Sequence, residues 1–279
     1  MELSRQWVEV DTPSGPVASF LARQSAGDGP RPGVVVLQEV WGVDDHIVDV
    51  AERLAAAGFV ALAPDLNSVG AGRPGPLGAA RVDAARAFLD AHSCDYPTFL
   101  GLLIDHDRRI AAGAGSEEDE TLTALLDAAR LPRHPEVVAA AFSWLRAHPD
   151  CAPLPVGVIG FCQGGGLAGG LACSEPDLAA TVIYYGAPPA AERVAGIAGP
   201  LRGFYGSEDH NIAAALPAFA EALAAAGVSH ELRVYEGALH AFANDTRPWF
   251  DPAATRDAWA RTLRFLVERL GPAPSLVVS

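Results

Sequence analysis

The sequence predicts an α/β fold in which helices cover both faces of a mostly parallel central sheet. Continuous apolar runs such as residues 33–38 and 156–159 are typical of strands that are buried on both faces. These runs alternate with segments of helical periodicity, and repeated alternation of strand and helix favours a parallel sheet. At 279 residues the chain suits one such domain, so residues 1–279 are expected to fold as a single unit.

The first part of the chain predicts a hairpin followed by a strand, a helix and a second strand. Apolar and polar residues alternate on either side of the turn at residues 13–16, which indicates two antiparallel strands. Asp44 or Asp45 is suited to cap a helix, and Gly58 is suited to end it. The predicted elements are a hairpin over residues 8–21, a strand over 33–38, a helix to about 57 and a strand over 59–63.

After a loop rich in Gly and Pro, the alternation continues with one less regular region between residues 92 and 134. Within that region, Ser116 precedes four acidic residues, and acidic groups stabilise the positive end of a helix dipole. A helix is therefore predicted to begin there. The remaining predicted elements are helices over 79–91, 135–148, 163–172, 212–226 and 252–270, and strands over 156–159, 179–185, 201–205 and 230–235. In the last of these strands apolar and polar residues alternate, which predicts one buried and one exposed face.

The composition argues against several classes of partner and chemistry. Half of the residues are apolar, but no run reaches the roughly eighteen uncharged apolar residues of a membrane span, so a soluble protein is expected. Acidic residues outnumber basic ones by 34 to 20, and no basic stripe occurs, so neither nucleic acid nor an anionic membrane is an expected partner. All twenty basic residues are Arg, which excludes a Schiff-base lysine and a Walker-type phosphate loop.

The four cysteines and the N-terminal residues indicate in which cellular compartment the protein is expected. Cys94, Cys151, Cys162 and Cys173 form no Cys-x-x-Cys pair, which argues against a zinc site or a redox dithiol and favours reduced thiols. The first residues show no secretory signal pattern, so we expect a cytoplasmic location. Three of the cysteines, all except Cys162, are expected to be small buried residues.

Cys162 differs from the other cysteines because it lies in a Gly-x-Cys-x-Gly pattern directly after a predicted buried strand. This is the pattern of a nucleophile elbow, with sulfur in place of a hydroxyl group. A strand that turns at once into a helix strains the nucleophile's backbone and leaves no room for a Cβ two residues before and after it. Gly160 and Gly164 occupy those two positions, so the sequence predicts that Cys162 is a nucleophile.

The other candidate catalytic residues also follow predicted strands, and such loops meet at one edge of an α/β sheet. A thiol is only slightly ionised at neutral pH, so it needs a base, and an imidazole base needs a carboxylate to orient and stabilise it. His240 is the predicted base and Asp209 the predicted carboxylate, with His210 and Glu208 as the alternatives. Glu39 follows the early buried strand; it is either a functional carboxylate or a salt-bridge partner.

The predicted oxyanion hole and substrate pocket complete the site. In this architecture the backbone amide after the nucleophile and an amide of an early loop stabilise the oxyanion, which predicts the N–H groups of Gln163 and Val40. Trp41 and Phe242, and also Trp249, are candidates for lining the pocket, although aromatic residues in such loops are as often part of a core.

A competing motif overlaps the elbow. Residues 164–169 match the dinucleotide-binding pattern Gly-x-Gly-x-x-Gly. In that motif the first Gly directly follows its strand, and an acidic residue ends the next strand. Here three residues intervene, and Tyr184-Tyr185-Gly186 ends the next strand, so nucleotide binding is disfavoured.

Several motifs together make the sequence resemble the dienelactone hydrolase family of α/β-hydrolases over most of its length. Nucleophile, acid and His also follow one another in the α/β-hydrolase order. The resemblance implies an α/β-hydrolase fold, a triad of Cys162, His240 and Asp209, a role for Glu39 in ionising the thiol when substrate arrives, and neither metal nor cofactor. The motifs are Gln38-Glu39-Val40-Trp41-Gly42, Pro64-Asp65-Leu66, Gly160-Phe161-Cys162-Gln163-Gly164-Gly165, Tyr205-Gly206-Ser207-Glu208-Asp209 and His240-Ala241-Phe242.

The sequence departs from the family pattern in two places. Family members that act on dienelactone hold the substrate carboxylate with arginines, one of them a few residues after the catalytic His, whereas here the first Arg after His240 is Arg247. Residues 92–134 also exceed the equivalent stretch of compact members, which predicts a helical insertion, either a lid or an extra surface helix.

The predicted activity is hydrolysis of a small activated ester or lactone through an acyl-thioester intermediate on Cys162. Hydrolysis of amides or thioesters is the alternative reaction, and a non-catalytic binding protein on a hydrolase fold is the alternative function. The expected partner is the small-molecule substrate, and the expected assembly is a monomer or a small homo-oligomer.

Overall fold

The computed structural model describes residues 2–25, 29–68, 70 and 72–271. Within them, eight strands form one sheet: β1 (Leu3–Val10), β2 (Val17–Gln24), β3 (Gly33–Leu37), β4 (Val60–Pro64), β5 (Val156–Phe161), β6 (Thr181–Tyr184), β7 (Leu201–Gly206) and β8 (His230–Tyr235). Their spatial order is β1-β2-β4-β3-β5-β6-β7-β8. β2 is antiparallel to both of its neighbours, and all other neighbours are parallel. The predicted hairpin and mostly parallel sheet are confirmed.

The helices alternate with the strands, as the sequence predicted. Asp44, rather than Asp45, is the N-cap of the first helix, since its carboxylate accepts a hydrogen bond from the Ile47 amide at 3.2 Å. None of the described helices combines the length and apolar character needed to cross a membrane. The α-helices are α1 (Asp45–Ala56), α2 (Ala79–His92), α3 (Tyr96–Ile104), α4 (His106–Ala111), α5 (Ser116–Ala129), α6 (His134–Ala147), α7 (Gln163–Ala172), α8 (His210–Ala213), α9 (Leu216–Ala225) and α10 (Pro252–Leu270).

Both faces of the sheet are buried under helices. In β3, Val35 and Leu37 lie on the face of the sheet that α6, α7 and α9 cover, whereas Val34 and Val36 lie on the face that α1 and α10 cover. Successive side chains of a strand point to opposite faces, so a strand covered on both sides must be apolar at every position. This requirement explains the continuous Val run of β3, in which every residue is buried.

The direction of strand addition reverses beside β3. The chain passes from β3 to β4 on one side and then returns to place β5 on the other side. The loops after β3 and β5 therefore diverge from the carboxyl edge of the sheet and leave a crevice between them. Glu39 follows β3 and Cys162 follows β5, so both lie at this crevice.

Two stretches differ from the sequence-based expectation. The helix predicted over 212–226 is two helices, α8 and α9, because Pro217 has no N–H to donate and fits only in the first turn of α9. The strand predicted over 230–235 was expected to alternate in burial. Instead β8 lies at the edge of the sheet and its residues are half-buried or exposed, with Val234 47% exposed.

Three helices, α3, α4 and α5, occupy the region between residues 92 and 134. Of these, α3 and α5 pack with α2 around a third apolar cluster, separate from the two that flank the sheet, and Trp41 is a member of it. Arg109 of α4 is buried among them and donates to Asp119 of α5 at 2.6 Å and to the Leu103 carbonyl of α3 at 3.0 Å. These contacts join the helices to one another.

Two glycines of α7 offer a matched test of the elbow packing. A Cβ at Gly164 would collide with the backbone carbonyl oxygens of Leu37 and Gln38, whereas a Cβ at Gly170 would meet nothing within 4 Å. We expect Gly164→Ala to lower the free energy of unfolding by about 1–3 kcal/mol through overpacking. Gly170→Ala should leave it unchanged or raise it by up to about 1 kcal/mol, because Ala favours the helix.

Urea denaturation followed by far-UV circular dichroism measures both variants. Equal effects of the two substitutions would contradict the packing that the structure assigns to Gly164.

Candidate active site

The turn between β5 and α7 holds Cys162 in a strained backbone conformation. Its φ of 53° lies in the left-handed region, which a residue with a side chain rarely adopts. A Cβ at Gly160 would collide with the Gly164 carbonyl, and one at Gly164 would collide with the Leu37 carbonyl. The two glycines therefore allow the helix to start against the strand. This elbow presents the Cys162 thiol, which is partly exposed, at the carboxyl edge of the sheet.

His240 and Asp209 meet beside the thiol, although 31 residues separate them. The His240 Nδ1 atom lies 2.5 Å from the Asp209 Oδ2 atom. Asp209 occupies the N-cap position of α8, yet its side chain makes no capping hydrogen bond. The alternatives lie elsewhere: Glu208 is exposed beside Ser207, and 79% of the His210 side chain is exposed.

The charges around His240 favour its protonated form. Burial alone lowers the pKa of the imidazole, but the Cys162 thiolate, the hydrogen bonds with Asp209 and Cys162, and the charge of Asp209 raise it well above its ordinary value. The arrangement thus suits an imidazole that takes a proton from the thiol and holds it. Tyr96 and Tyr185 enclose the ring, with centroids 6.2 and 5.1 Å from that of His240.

Glu39 is buried at the same edge, and neutral groups hold its carboxylate. Tyr185 donates its hydroxyl proton to Oε1 at 3.0 Å, and Asn244 donates from Nδ2 to Oε2 at 2.9 Å. Only 3% of Glu39 is exposed. In the part of the chain that the structure describes, Glu39 forms hydrogen bonds with these two neutral donors. The structure therefore does not show the salt bridge that was the alternative for this residue.

The loop after β3 is fixed by hydrogen bonds from the segment that follows β4. Gln38 accepts a hydrogen bond from the Leu66 amide at 3.0 Å, and Asn67 donates to the Val40 carbonyl at 3.0 Å. Val40 lines the cavity beside Cys162. Gln163 is the first residue of α7, a position whose amide has no partner within the helix. Both predicted oxyanion-hole residues thus flank the thiol.

Backbone strain is concentrated at this site. Three non-glycine residues among those described have a positive φ: Cys162 at 53°, Tyr185 at 40° and Ala241 at 61°. Cys162 carries the thiol, Tyr185 holds Glu39, and Ala241 directly follows His240. Strain of this kind costs about 1–3 kcal/mol per residue and persists where the surrounding structure enforces it.

A cavity of about 300 Å³ opens onto Cys162, His240, Asp209 and Glu39. Helix α3, which lies within the region predicted as an insertion, contributes several apolar side chains to its wall. Apolar and aromatic side chains make up most of the lining: Trp41, Tyr96, Phe99, Leu100, Leu103, Ile212 and Trp249.

Of the three predicted pocket residues, Trp41 and Trp249 line the cavity and Phe242 does not. Trp41 lines the cavity and is 4% exposed. Phe242 lies outside the lining: it is fully buried and packs against Tyr184, Tyr185 and Tyr235. It follows the strained Ala241, and this turn directs its ring into the core rather than towards the cavity.

The remaining three cysteines were expected to be buried, and two of them, Cys94 and Cys173, differ from that expectation. Cys151 is buried as predicted, and burial together with the nearby Asp150 raises the pKa of its thiol to about 12. Cys173 is half-buried at the end of α7. Cys94 was expected to be buried but is exposed, because it lies in the short turn between α2 and α3.

Sequence reasoning missed three residues that the fold brings to the site: Tyr96, Tyr185 and Asn244. Tyr185 ends a predicted strand, directly before Gly186. Because functional residues of α/β sheets lie at the carboxyl ends of strands, this position could have indicated that Tyr185 belongs to the site. Asn244 lies four residues after His240, and no sequence motif predicts a role for it. Tyr96 follows the N-cap Asp95 of α3, and nothing in its local sequence indicates that α3 docks beside His240.

Comparisons with known proteins agree on one family. A model described as the dienelactone hydrolase family matches residues 17–270. The protein named "Putative carboxymethylenebutenolidase" in Saccharolobus solfataricus is 30% identical over 257 residues, which cover 92% of this chain and 95% of that protein.

Two solved structures are similar in fold. One is a "Putative Dienelactone Hydrolase" from Klebsiella pneumoniae, with a TM-score of 0.71, 24% identity and coverage of 96% of this chain and 100% of that one. The other is a dienelactone hydrolase-like promiscuous phosphotriesterase from metagenomic libraries, with a TM-score of 0.70, 22% identity and coverage of 97% and 100%. At these identities they show a shared fold, and the predicted α/β-hydrolase fold is confirmed.

The raised pKa of His240 can be measured directly. In a ¹H–¹³C NMR titration we expect the His240 Cε1–H resonance to titrate well above the ordinary value of about 6.5. Asp209→Asn should shift this pKa down, because it removes a charge and weakens a hydrogen bond. Since folding raises the pKa, the resulting stabilisation is complete below about pH 6.5 and is lost as the pH rises through the folded value.

The matched control is Glu208→Gln, which removes a carboxylate one residue away that does not contact His240. If both variants lowered the pKa of His240 equally, the assignment of Asp209 as its partner would be wrong.

Proposed function

Since this chain belongs to the dienelactone hydrolase family, we propose that it hydrolyses small activated esters or lactones with Cys162 as the nucleophile. The observation that carries the proposal is the meeting of Cys162, His240 and Asp209 at one cavity. A thiol, a base and an orienting carboxylate are the groups that acyl transfer requires. In the proposal, His240 is the base, Asp209 orients it, and Glu39 assists the thiol.

The proposed reaction has two halves. The thiol proton passes to His240, and the Cys162 sulfur attacks the carbonyl carbon, whose electron pair moves to oxygen. The amides of Gln163 and Val40 stabilise that oxyanion. As it collapses, the bond to the alcohol oxygen breaks and His240 protonates the leaving group. Water, deprotonated by His240, then attacks the thioester, and Cys162 leaves as the free acid forms.

Glu39 is proposed to promote ionisation of Cys162 when substrate is present. Its carboxylate lines the cavity with the thiol, and its two hydrogen-bond donors are neutral. We propose that this carboxylate accepts the thiol proton and passes it to His240, because a negative charge that merely stayed beside the sulfur would oppose thiolate formation. Tyr185 and Asn244 hold the carboxylate in one orientation, so they are positioning residues for Glu39.

Sulfur chemistry favours esters and lactones over amides. From a tetrahedral intermediate a thiolate leaves more readily than an unprotonated amine, so an amide intermediate tends to revert, whereas an activated alkoxide or enolate can compete with sulfur. Amide or thioester hydrolysis is the alternative reaction and needs a well-placed proton donor. A purely binding role is the less supported alternative, because each expected catalytic position is occupied.

We further propose that residues 92–134 form an insertion whose helix α3 acts as a lid over the cavity. Tyr96, Phe99 and Leu103 of α3 line the cavity. Tyr96 packs on Phe99 and Trp249 with ring centroids 6.2 and 5.6 Å apart.

The cytoplasmic location is a prediction from the sequence.

Replacing the nucleophile tests the proposal. We expect Cys162→Ala to reduce kcat/KM for 4-nitrophenyl acetate or butyrate by about 10³-fold or more, because no thioester can form. Cys173→Ala, which alters a half-buried thiol outside the cavity, should retain activity. Steady-state assays of both purified variants measure these effects. Full activity in Cys162→Ala would refute the assignment of Cys162 as the nucleophile.

Replacing Glu39 separates its charge from its structural contacts. Glu39→Gln should lower kcat/KM by at least about tenfold, because the amide cannot assist thiol ionisation. Asn244→Ala loses a hydrogen bond to the same side chain but keeps the charge, so it should lose less activity.

The measurements are kcat/KM for the 4-nitrophenyl esters and the free energy of unfolding of each variant. If Asn244→Ala lost as much activity as Glu39→Gln at similar stability, the role of Glu39 would be structural.

A further inference from the structure

Arg247 brings a positive charge to the wall of the cavity. It is the first Arg after His240 in the sequence, and it lines the cavity together with Glu39 and Cys162. Its guanidinium packs over the rings of Trp41 and Phe99, at 5.6 and 5.1 Å from their centroids. A buried guanidinium in such a position is suited to bind a carboxylate.

The carboxylate that Arg247 binds belongs to the protein. The Nη1 and Nη2 atoms of Arg247 donate to the two oxygens of Asp90 at 3.1 and 2.6 Å, a two-point contact. Only 2% of the Arg247 side chain is exposed, against 32% of the Asp90 side chain. Asp90 lies on α2 and reaches Arg247 from the helical cluster, across a sequence separation of 157 residues.

The rest of the cavity wall has few groups that could bind an anionic ligand. The other ionisable groups that line the cavity are the Asp209–His240 pair, Glu39 and the thiol and phenol of Cys162 and Tyr96. Arg247 is matched by Asp90 and His240 by Asp209, whereas Glu39 makes no ion-pair contact among the described residues, although its charge also interacts with the Arg247 guanidinium. The apolar side chains that form most of the wall favour burial of uncharged groups.

We propose that Asp90 is a specificity-determining residue: by occupying Arg247, it makes the cavity select uncharged apolar esters and lactones over those that carry a carboxylate. This inference rests on the proposed ester hydrolysis and names its substrate class. The cavity volume of about 300 Å³ lies at the lower end of ligand pockets, which run from roughly 300 to 1,000 Å³, so the substrate is a small one.

Two substrates that differ by one charge test the inference: 4-nitrophenyl methyl adipate and 4-nitrophenyl hydrogen adipate. Release of 4-nitrophenol gives kcat/KM for each. The wild type should prefer the neutral ester by about tenfold or more. Asp90→Asn frees the guanidinium, so the ratio should fall by about tenfold as kcat/KM for the anionic ester rises. Asp90→Asn combined with Arg247→Gln should restore the preference for the neutral ester.

Two further variants exclude other causes. Asp83→Asn makes the same change of net charge on the same helix, at a side chain that is 63% exposed and paired with Arg86, and should leave the ratio unchanged. Asp90→Glu keeps the ion pair and should keep the selectivity. The free energy of unfolding of each variant shows whether it is folded.

The outcomes separate the inference from the proposed function. If Cys162-dependent turnover of the neutral ester is present but Asp90→Asn leaves the ratio unchanged, or if Asp83→Asn shifts it equally, the inference is wrong and the proposed function stands. If the wild type hydrolyses neither ester, the proposed function fails and the inference falls with it.

Discussion

The close approach of α7 to the sheet at Gly160 and Gly164 is the constraint on which the rest of the site depends. It allows a buried strand and the following helix to be separated by one residue, Cys162, and it forces that residue into the left-handed region. The thiol is thereby fixed beside β3, where the sheet order reverses. Loops from β3, β7 and β8 can then reach it with Glu39, Asp209 and His240.

The second constraint is the placement of charge in a mostly apolar cavity. A buried ion is costly unless it is paired or hydrogen-bonded. The protein meets this requirement in three ways: Asp209 pairs with His240, Arg247 pairs with Asp90, and Glu39 accepts hydrogen bonds from neutral donors. The third way involves no ion-pair contact among the described residues, and a carboxylate held by neutral donors can still accept a proton, which is the role proposed for Glu39.

The sequence was sufficient for the fold class and the positions of the proposed triad, because both follow from local rules. Buried parallel strands are continuously apolar, and functional loops follow their carboxyl ends. The partners of Tyr185 and Asp90 were beyond such rules, since they lie 146 and 157 residues away and depend on how separate elements pack. Residues 92–134 were unclear for the same reason: helix α3 contributes to the cavity through its docking, which periodicity does not encode.

The central claim, an acyl thioester on Cys162, is tested most directly by rapid-quench mass spectrometry of the wild-type enzyme with 4-nitrophenyl acetate. The Cys94 thiol is exposed and therefore accessible to activated esters, so a Cys94→Ser background is used. The account predicts an acetyl adduct that forms within the first turnovers, maps to the Cys162 peptide and decays as acetate is released. Steady turnover with no adduct on Cys162, or with an adduct on another residue, would contradict it.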